Sequence, residues 1–478
     1  MSNLSELLPS GGGQNAVDFV ASGTLPNGRA VILKANGQVE VVGEVAASLG
    51  TVATTVAGGD GLIVSMLSDT TFVALGVDYS TGGKTWLGTV SNGTITFGSP
   101  AVWSTTPEAP SVTGISATQF VVVYKDYGNS NRGKAVVGTI SSGSISYGTI
   151  VTFETGQTSL SYQNPVTALS STKLVIVYED ASNSGAATAI VGTVSGTSIS
   201  FGSATVFNSA NSSKYSIVDK LNSTSVIIGY SETPSSTRGR ALVGTISGTS
   251  ISFGSQVTYA AGPVIRHTVS ALTPTTFVIN YQDGGASSSG KSIIGTISGT
   301  TITLGSPVTF YATTLSNQFF SSTKTTDTEF SISFRAAANS GYGTLIFGTV
   351  SGTSISFGAS TVFYSASVAG EPISSTLLGA SDLITGFDAT LLSAVDYTLV
   401  STNLTSTNLL GISAGAISSG ATGTINLFGG INESQSSLTI GSDYYVQTNG
   451  TITTASASPA QRIGTAISAT QINIKDLT

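Results

Sequence analysis

The chain reads as an all-β protein: a seven-bladed β-propeller of four-stranded blades, plus a small C-terminal β-sandwich or barrel module. Three observations predict this. One segment recurs at a period near 50 residues, each copy splits into four strand-like stretches, and the repeat stops near residue 400 while β-type sequence continues. The composition agrees. Only 9% of the 478 residues are charged and 40% are hydrophobic, with 57 glycines, so neither a disordered nor a helical chain fits.

The repeat is clearest around a shared Gly-Thr. TWLGTVSNGTITFG opens at 85, AVVGTISSGSISYG at 135, AIVGTVSGTSISFG at 189, ALVGTISGTSISFG at 241, SIIGTISGTTITLG at 292 and LIFGTVSGTSISFG at 345. The glycines Gly88, Gly138, Gly192, Gly244, Gly295 and Gly348 are spaced 50, 54, 52, 51 and 53 apart. Such a period marks a propeller, solenoid or array.

In the unit 267–310, HTVSAL, TTFVINYQD, KSIIGTIS and TITLGSPVTF are expected as first to fourth strands. The Ser-Gly-Thr between the last two is a tight hairpin. The second strand is apolar throughout its centre, as a strand covered on both faces requires, and the fourth alternates like an outer strand. A four-stranded unit of this kind is a blade. The second strand occurs seven times, starting at 70, 118, 172, 224, 275, 328 and 381, one more than the hairpins. Seven blades are expected, the last completed by sequence outside the repeat. Residues 400–478 form the separate β-module, 44–399 the propeller, and 1–15, with Pro9 and three successive glycines, a flexible arm.

Charge and composition narrow the function. A net charge of −7 argues against nucleic acid. No run of 18 apolar residues is present, so no membrane span is expected, and the first 15 residues show no signal peptide. With no cysteine and one histidine, His267, thiolate sites and histidine triads are excluded, and no metal or cofactor is expected. His267 is expected at the surface. Asp126-Tyr-Gly-Asn-Ser-Asn131 and Asp180-Ala-Ser-Asn-Ser184 hint at calcium loops, but each holds one carboxylate and reads better as a turn. Asp78 to Trp86 partly resembles the Asp-box of sialidases, yet it occurs once, is too long, and the seven arginines are scattered. Asp126–Lys134, Glu232–Arg240, Asp283–Lys291 and the shorter Asp78–Lys84 are expected as cross-strand ion pairs.

Loop length carries the functional expectation. Links between first and second, and between third and fourth, strands are short. The other links are long and variable, and propeller geometry gathers them on one face, where binding is expected. Their aromatics, Tyr127, Tyr162, Tyr215, Phe319, Phe320 and Tyr342, stand beside Asn, Gln and Asp and suit sugar rings, if they are not packed beneath the loops. The short-turn face is expected to offer a ligand little relief.

MSNLSELLPSGGGQNAVDFVASGTLPNGRAVILKANGQVEVVG, the ending LGISAGAISSGATGTINLFGGINESQSSLTIGSDYYVQTNGTI and the repeats together resemble tailed-bacteriophage virion structural proteins, tail-fibre-like or capsid-associated fibre proteins with propeller repeats. The resemblance implies a non-enzymatic virion component, assembled in the host cytoplasm with other virion proteins, that attaches to host surface polysaccharide. It also implies that 16–43 joins the C-terminal module. The alternative is that 28–45 closes the last blade. A capsid decoration or spacer touching no host and a glycan-cleaving propeller are the competing functions.

Overall fold

The computed structural model describes residues 15–475, except 46, 56–59, 79–80, 92, 162–163, 210–212, 233–237, 286–287, 316–319, 369–371, 380–381, 389–391, 399–400, 403–407, 448 and 456–460. The expected N-terminal arm therefore lies almost wholly outside the described residues. The described chain is all-β apart from three short 3-10 turns. No helix among the described residues is long and apolar enough to cross a membrane.

The chain divides into two compact units, Ser48–Thr398 and the combination of Met1–Ala47 with Leu399–Thr478. In the second of these, Ala30–Leu33 pairs antiparallel with Leu409–Ser413 (Ala30 opposite Ile412), and Ala16–Val20 pairs with Thr422–Leu427. A second sheet, from Ile431–Asn432 to Ile472–Ile474, supplies Tyr444, Val446, Ile463, Ile472 and Ile474 to a core shared with Ala30, Ile32 and Ile412. The N-terminal hairpin is thus bound to the C-terminal module by backbone pairing.

The large unit is built from seven antiparallel repeats. The fifth is representative. Its inner strand is Val264–Thr273, its second Thr276–Asp283 and its third Ser289–Ser298, paired in that order. The expected fourth strand is two strands, Thr301–Leu304 and Val308–Tyr311, both pairing with the third. The break falls at Gly305-Ser-Pro307, where proline has no N–H for the ladder and Gly305 N donates to Ile294 O at 2.9 Å. The same division occurs after Gly98, Gly148, Gly202, Gly254 and Gly358. The second and third repeats are joined, because Val151–Ser159 pairs with the third strand of one and the second strand of the next.

The shared glycine of each Gly-Thr has a steric cause. Phe277 lies opposite Gly295, and a Cβ there would stand 2.1 Å from the ring. Gly88, Gly138 and Gly348 are covered in the same way by Phe72, Phe120 and Phe330. The ring fills what would be a hole, and the glycine lets it lie flat on the backbone.

Each sheet packs on the next through its buried faces, as in Val175, Val177 and Val191 against Val218, Ile228 and Leu242. The seventh sheet, inner strand Ser374–Leu378, is completed by Ser48–Leu49 and Ala53–Thr54, which pair with Leu392–Thr398. It packs on the first: Leu378, Ile384 and Ala394 meet Leu62, Val64 and Phe72. Hydrogen bonds link the same two inner strands, Val64 N to Ser374 Oγ at 3.2 Å and Met66 N to Thr376 Oγ1 at 3.1 Å.

Candidate functional site

The acid–base pairs are largely structural. Lys84 meets Asp78 at 2.8 Å, Arg240 meets Glu232 at 2.9 Å and Lys291 meets Asp283 at 2.5 Å. Lys291 pairs directly with Tyr281 while Asp283 pairs with Ser289, so acid and base sit diagonally rather than face to face. Asp126 departs from the pattern and accepts from Thr106 Oγ1 at 2.7 Å. Asp180 caps its own 3-10 turn, accepting from Ser182 N and Asn183 N at 3.1 Å. Its loop is a turn held by a side chain. Among the described residues no three acidic or histidine side chains gather as a metal site.

The six candidate aromatics separate. Tyr162 and Phe319 lie outside the described residues. Phe320, expected to be exposed, is 1% exposed and packs with Phe310, Leu315 and Phe334. Tyr215 is half-buried, with the Arg266 guanidinium 4.1 Å from its ring centre, so that face is already covered by a cation. Tyr342 is half-buried at the start of a strand. Among the four described candidates only Tyr127 is widely open, at 71%. His267 is also a correction: it is fully buried beside Tyr259, and burial pushes its imidazole down to about 4, with the Gly229 and Tyr215 backbones offsetting part of this.

Tyr127 begins the 3-10 turn Tyr127–Asn129 after the second strand of repeat two. Its N–H donates to Thr106 O at 3.0 Å, which ties this turn to the link entering the same repeat. Thr106 also contacts the position where Gly128 would carry a Cβ, so the two loops touch. Together they wall a groove of about 330 Å³ between the first and second sheets. Its lining includes Asp78, Thr106, Pro107, Glu108 and Tyr127. Lys125 engages Glu108 at 2.7 Å and Lys84 engages Asp78, so both acids are held in place and balanced. Asp78 and Glu108 were not foreseen as site residues. The alternation of Lys125 with Asp126 along one strand was the available signal.

A larger cavity of about 480 Å³ is lined by the inner strands. It is walled by hydroxyls, among them Ser65, Thr113, Thr167, Ser270, Thr323 and Thr376, with Asp219, Lys220 and Lys324. It reaches Thr273-Pro274 at a first-to-second-strand turn, so the short-turn side has more relief than expected. Asp219 takes Ala271 N at 2.8 Å across repeats, and burial pushes its carboxyl up to about 6 against the pull of that bond.

No protein-family model matches the chain, and no curated protein matches it. Solved structures do. The BP39L lectin from Burkholderia pseudomallei aligns over 73% of this chain and 99% of its own at 8% identity, TM-score 0.49. The Aleuria aurantia lectin in complex with Fucα1-6GlcNAc aligns over 65% and 97% at 14% identity, TM-score 0.38. The NanB sialidase from Streptococcus pneumoniae aligns over 73% and 70% at 10% identity, TM-score 0.43.

Proposed function

We propose that the seven sheets are blades of a closed seven-bladed propeller which binds neutral glycan without cleaving it, on the particle of a tailed phage. The packing of each sheet on the next, and of the seventh on the first, supports the architecture. The resemblance of the repeats and both chain ends to phage fibre-like proteins supports the setting, with other virion proteins as partners. The small unit is then the anchor and the propeller the part that meets host surface polysaccharide.

The observation that carries glycan binding is the exposed Tyr127 ring lining a groove that Asp78, Thr106 and Glu108 also line. A pyranose presents C–H groups to an aromatic face and hydroxyls to flanking oxygens, and here Glu108, Asp78 and Thr106 flank the ring. With both carboxylates balanced by lysines, the groove offers no surplus positive charge to attract an acidic sugar. Each is already engaged by its own lysine, which favours a binding role over the free acid–base couple that glycoside cleavage needs. One such contact is weak, and many copies on one particle would add avidity.

A neutral-glycan array probed with the purified protein tests this, followed by titration of the best glycan. Tyr127→Ala is expected to weaken binding about tenfold, equivalent to about 1.4 kcal/mol, with the melting temperature unchanged. Unaltered affinity in Tyr127→Ala would sink the groove as the site. A protein that binds no glycan would favour the spacer role.

A further inference from the structure

The repeat places one third-strand residue directly opposite the third residue of the second strand. That residue is Leu87, Val137, Val191, Val243, Ile294 and Phe347 in the first six repeats. In the seventh it is Asp396, opposite Ile384. An apolar slot between two sheets has received a carboxylate. Asp396 is fully buried, and among the described residues neither of its side-chain oxygens meets a hydrogen-bond donor. Asp382 pairs with Thr398 two positions along the same ladder, which puts it on the same face as Asp396 and its carboxyl within hydrogen-bonding reach. Gly93 of the first sheet lies over Asp396, since a Cβ there would stand 3.9 Å from Asp396 Oδ2.

Two carboxylates this close cannot both be ionised without a compensating positive charge. Among the described residues the strands around them supply none, including Ser374–Leu378, which pairs with Asp382 and carries no titratable group. Leu392–Thr398 adds only Tyr397, whose ring is 5.5 Å from Phe347. Asp382–Asp388 adds only Asp388, and the inner strand of the first sheet, Asp60–Met66, adds only Asp60. Ser48–Leu49, Ala53–Thr54 and Thr94–Phe97 carry no titratable group.

We propose that Asp382 and Asp396 share one proton, and that this proton is a pH-sensitive lock holding the closing sheet against the first. With the proton in place, one carboxyl donates to the other and the pair is a neutral-plus-one-charge couple. Without it, two charges repel inside the seam between the seventh sheet and the first. Burial, then the neighbouring Asp382 charge and its hydrogen bond, push Asp396 up to about 7. The native state therefore holds a proton that the unfolded chain has released. Between the ordinary carboxyl value of 3.8 and about 7, stability from this pair is present at the acid end and is lost as pH rises.

The test is the melting temperature of the full chain at about pH 5 and about pH 8.5, for wild type, Asp396→Asn and Asp396→Leu. Asn keeps the shape and supplies a permanent donor to Asp382, and Leu restores the residue type of the other repeats. Other groups titrate in the same range, so the quantity read is the difference between wild type and variant. Wild type is expected to fall by several degrees relative to both variants on going to the higher pH. An infrared band of a protonated carboxyl at neutral pH, lost in Asp396→Asn, is the second expected readout. Equal pH dependence in wild type and Asp396→Asn overturns the proposal. Calcium chloride at the higher pH is the third arm: if it raises the wild-type melting temperature but not that of Asp396→Asn, a divalent cation rather than a proton is the occupant, and the lock as stated is wrong.

Discussion

His267 and Phe320 were both expected at the surface, and both are buried for the same reason. Each immediately precedes the residue that pairs with the fifth position of the second strand, Thr268 with Asn280 and Ser321 with Ser333. Leu62, Pro110, Ser216 and Ile373 hold the same place in other repeats, and all are buried. Aligning the copies on their third strand leaves this position unmarked, because variable links set its distance from the Gly-Thr. Aligning on the second strand reveals it. Tyr127, by contrast, lies after the second strand in a turn that points outward, and its exposure was legible. The groove around it was not, because Asp78 and Glu108 come from different repeats. His267 also gives a residue-scale prediction. Its imidazole is held neutral down to about 4 against an ordinary 6.5, so the unfolded chain takes up a proton that the native state refuses. Its contribution to stability falls as pH drops through that window. The ring resonances in an NMR titration are expected to stay at the neutral position until close to pH 4. A midpoint near 6.5 would mean the ring is open to water.

At the scale of the strand, the readable signal was chemical alternation and the hidden one was a break in the ladder. The second strand's apolar run announced a strand covered on both faces, and Phe277, Val278 and Ile279 are all fully buried. The outer strand was read as continuous because its apolar alternation spans Gly305-Ser-Pro307. Side-chain periodicity does not record which N–H groups are spent. The ring-over-glycine pairing is testable here. Gly295→Ala puts a methyl 2.1 Å from the Phe277 ring, which is fully buried. Overpacking of this kind costs about 1–3 kcal/mol, read as a lower denaturation midpoint. Glycine at the Ser-Gly-Thr hairpin is different: nothing lies within 4 Å of a Cβ on Gly299, so Gly299→Ala strains only its backbone, at φ +62°. If Gly295→Ala proves no worse than Gly299→Ala, the steric account of the repeat's most regular residue is wrong.

For the whole molecule, seven second strands are countable in the sequence and seven are found among the described residues, and once the opening hairpin joins the C-terminal module, 44–58 and 391–400 are the stretches left to complete the last sheet. Ser48–Leu49 and Ala53–Thr54 become its edge strands on the ladder that Leu392–Thr398 offers. A fragment spanning 48–398 is expected to melt in one cooperative transition. A fragment starting at Asp60 leaves that edge bare, and bare edges recruit other chains. It should elute as dimers or larger species in size-exclusion chromatography. A monomeric, equally stable 60–398 fragment would show the closing strands to be dispensable.

Glu44 pairs with Thr402 and Ser48 with Thr398, so the chain enters the large unit and leaves it along neighbouring antiparallel strands. During synthesis this imposes an order. Ala16–Val20 and Ala30–Leu33 leave the ribosome before the large unit, yet their partners, Thr422–Leu427 and Leu409–Ser413, follow it. The large unit has all of its own strands in hand once residue 398 has emerged. It can fold while the opening hairpin is still waiting, and it then brings the two ends of the small unit side by side. The loop that would otherwise have to close at full entropic cost is shortened in effect to a few residues. The small unit can therefore complete the sheet of these strands only once residue 427 has emerged, when every described strand of the large unit is already available.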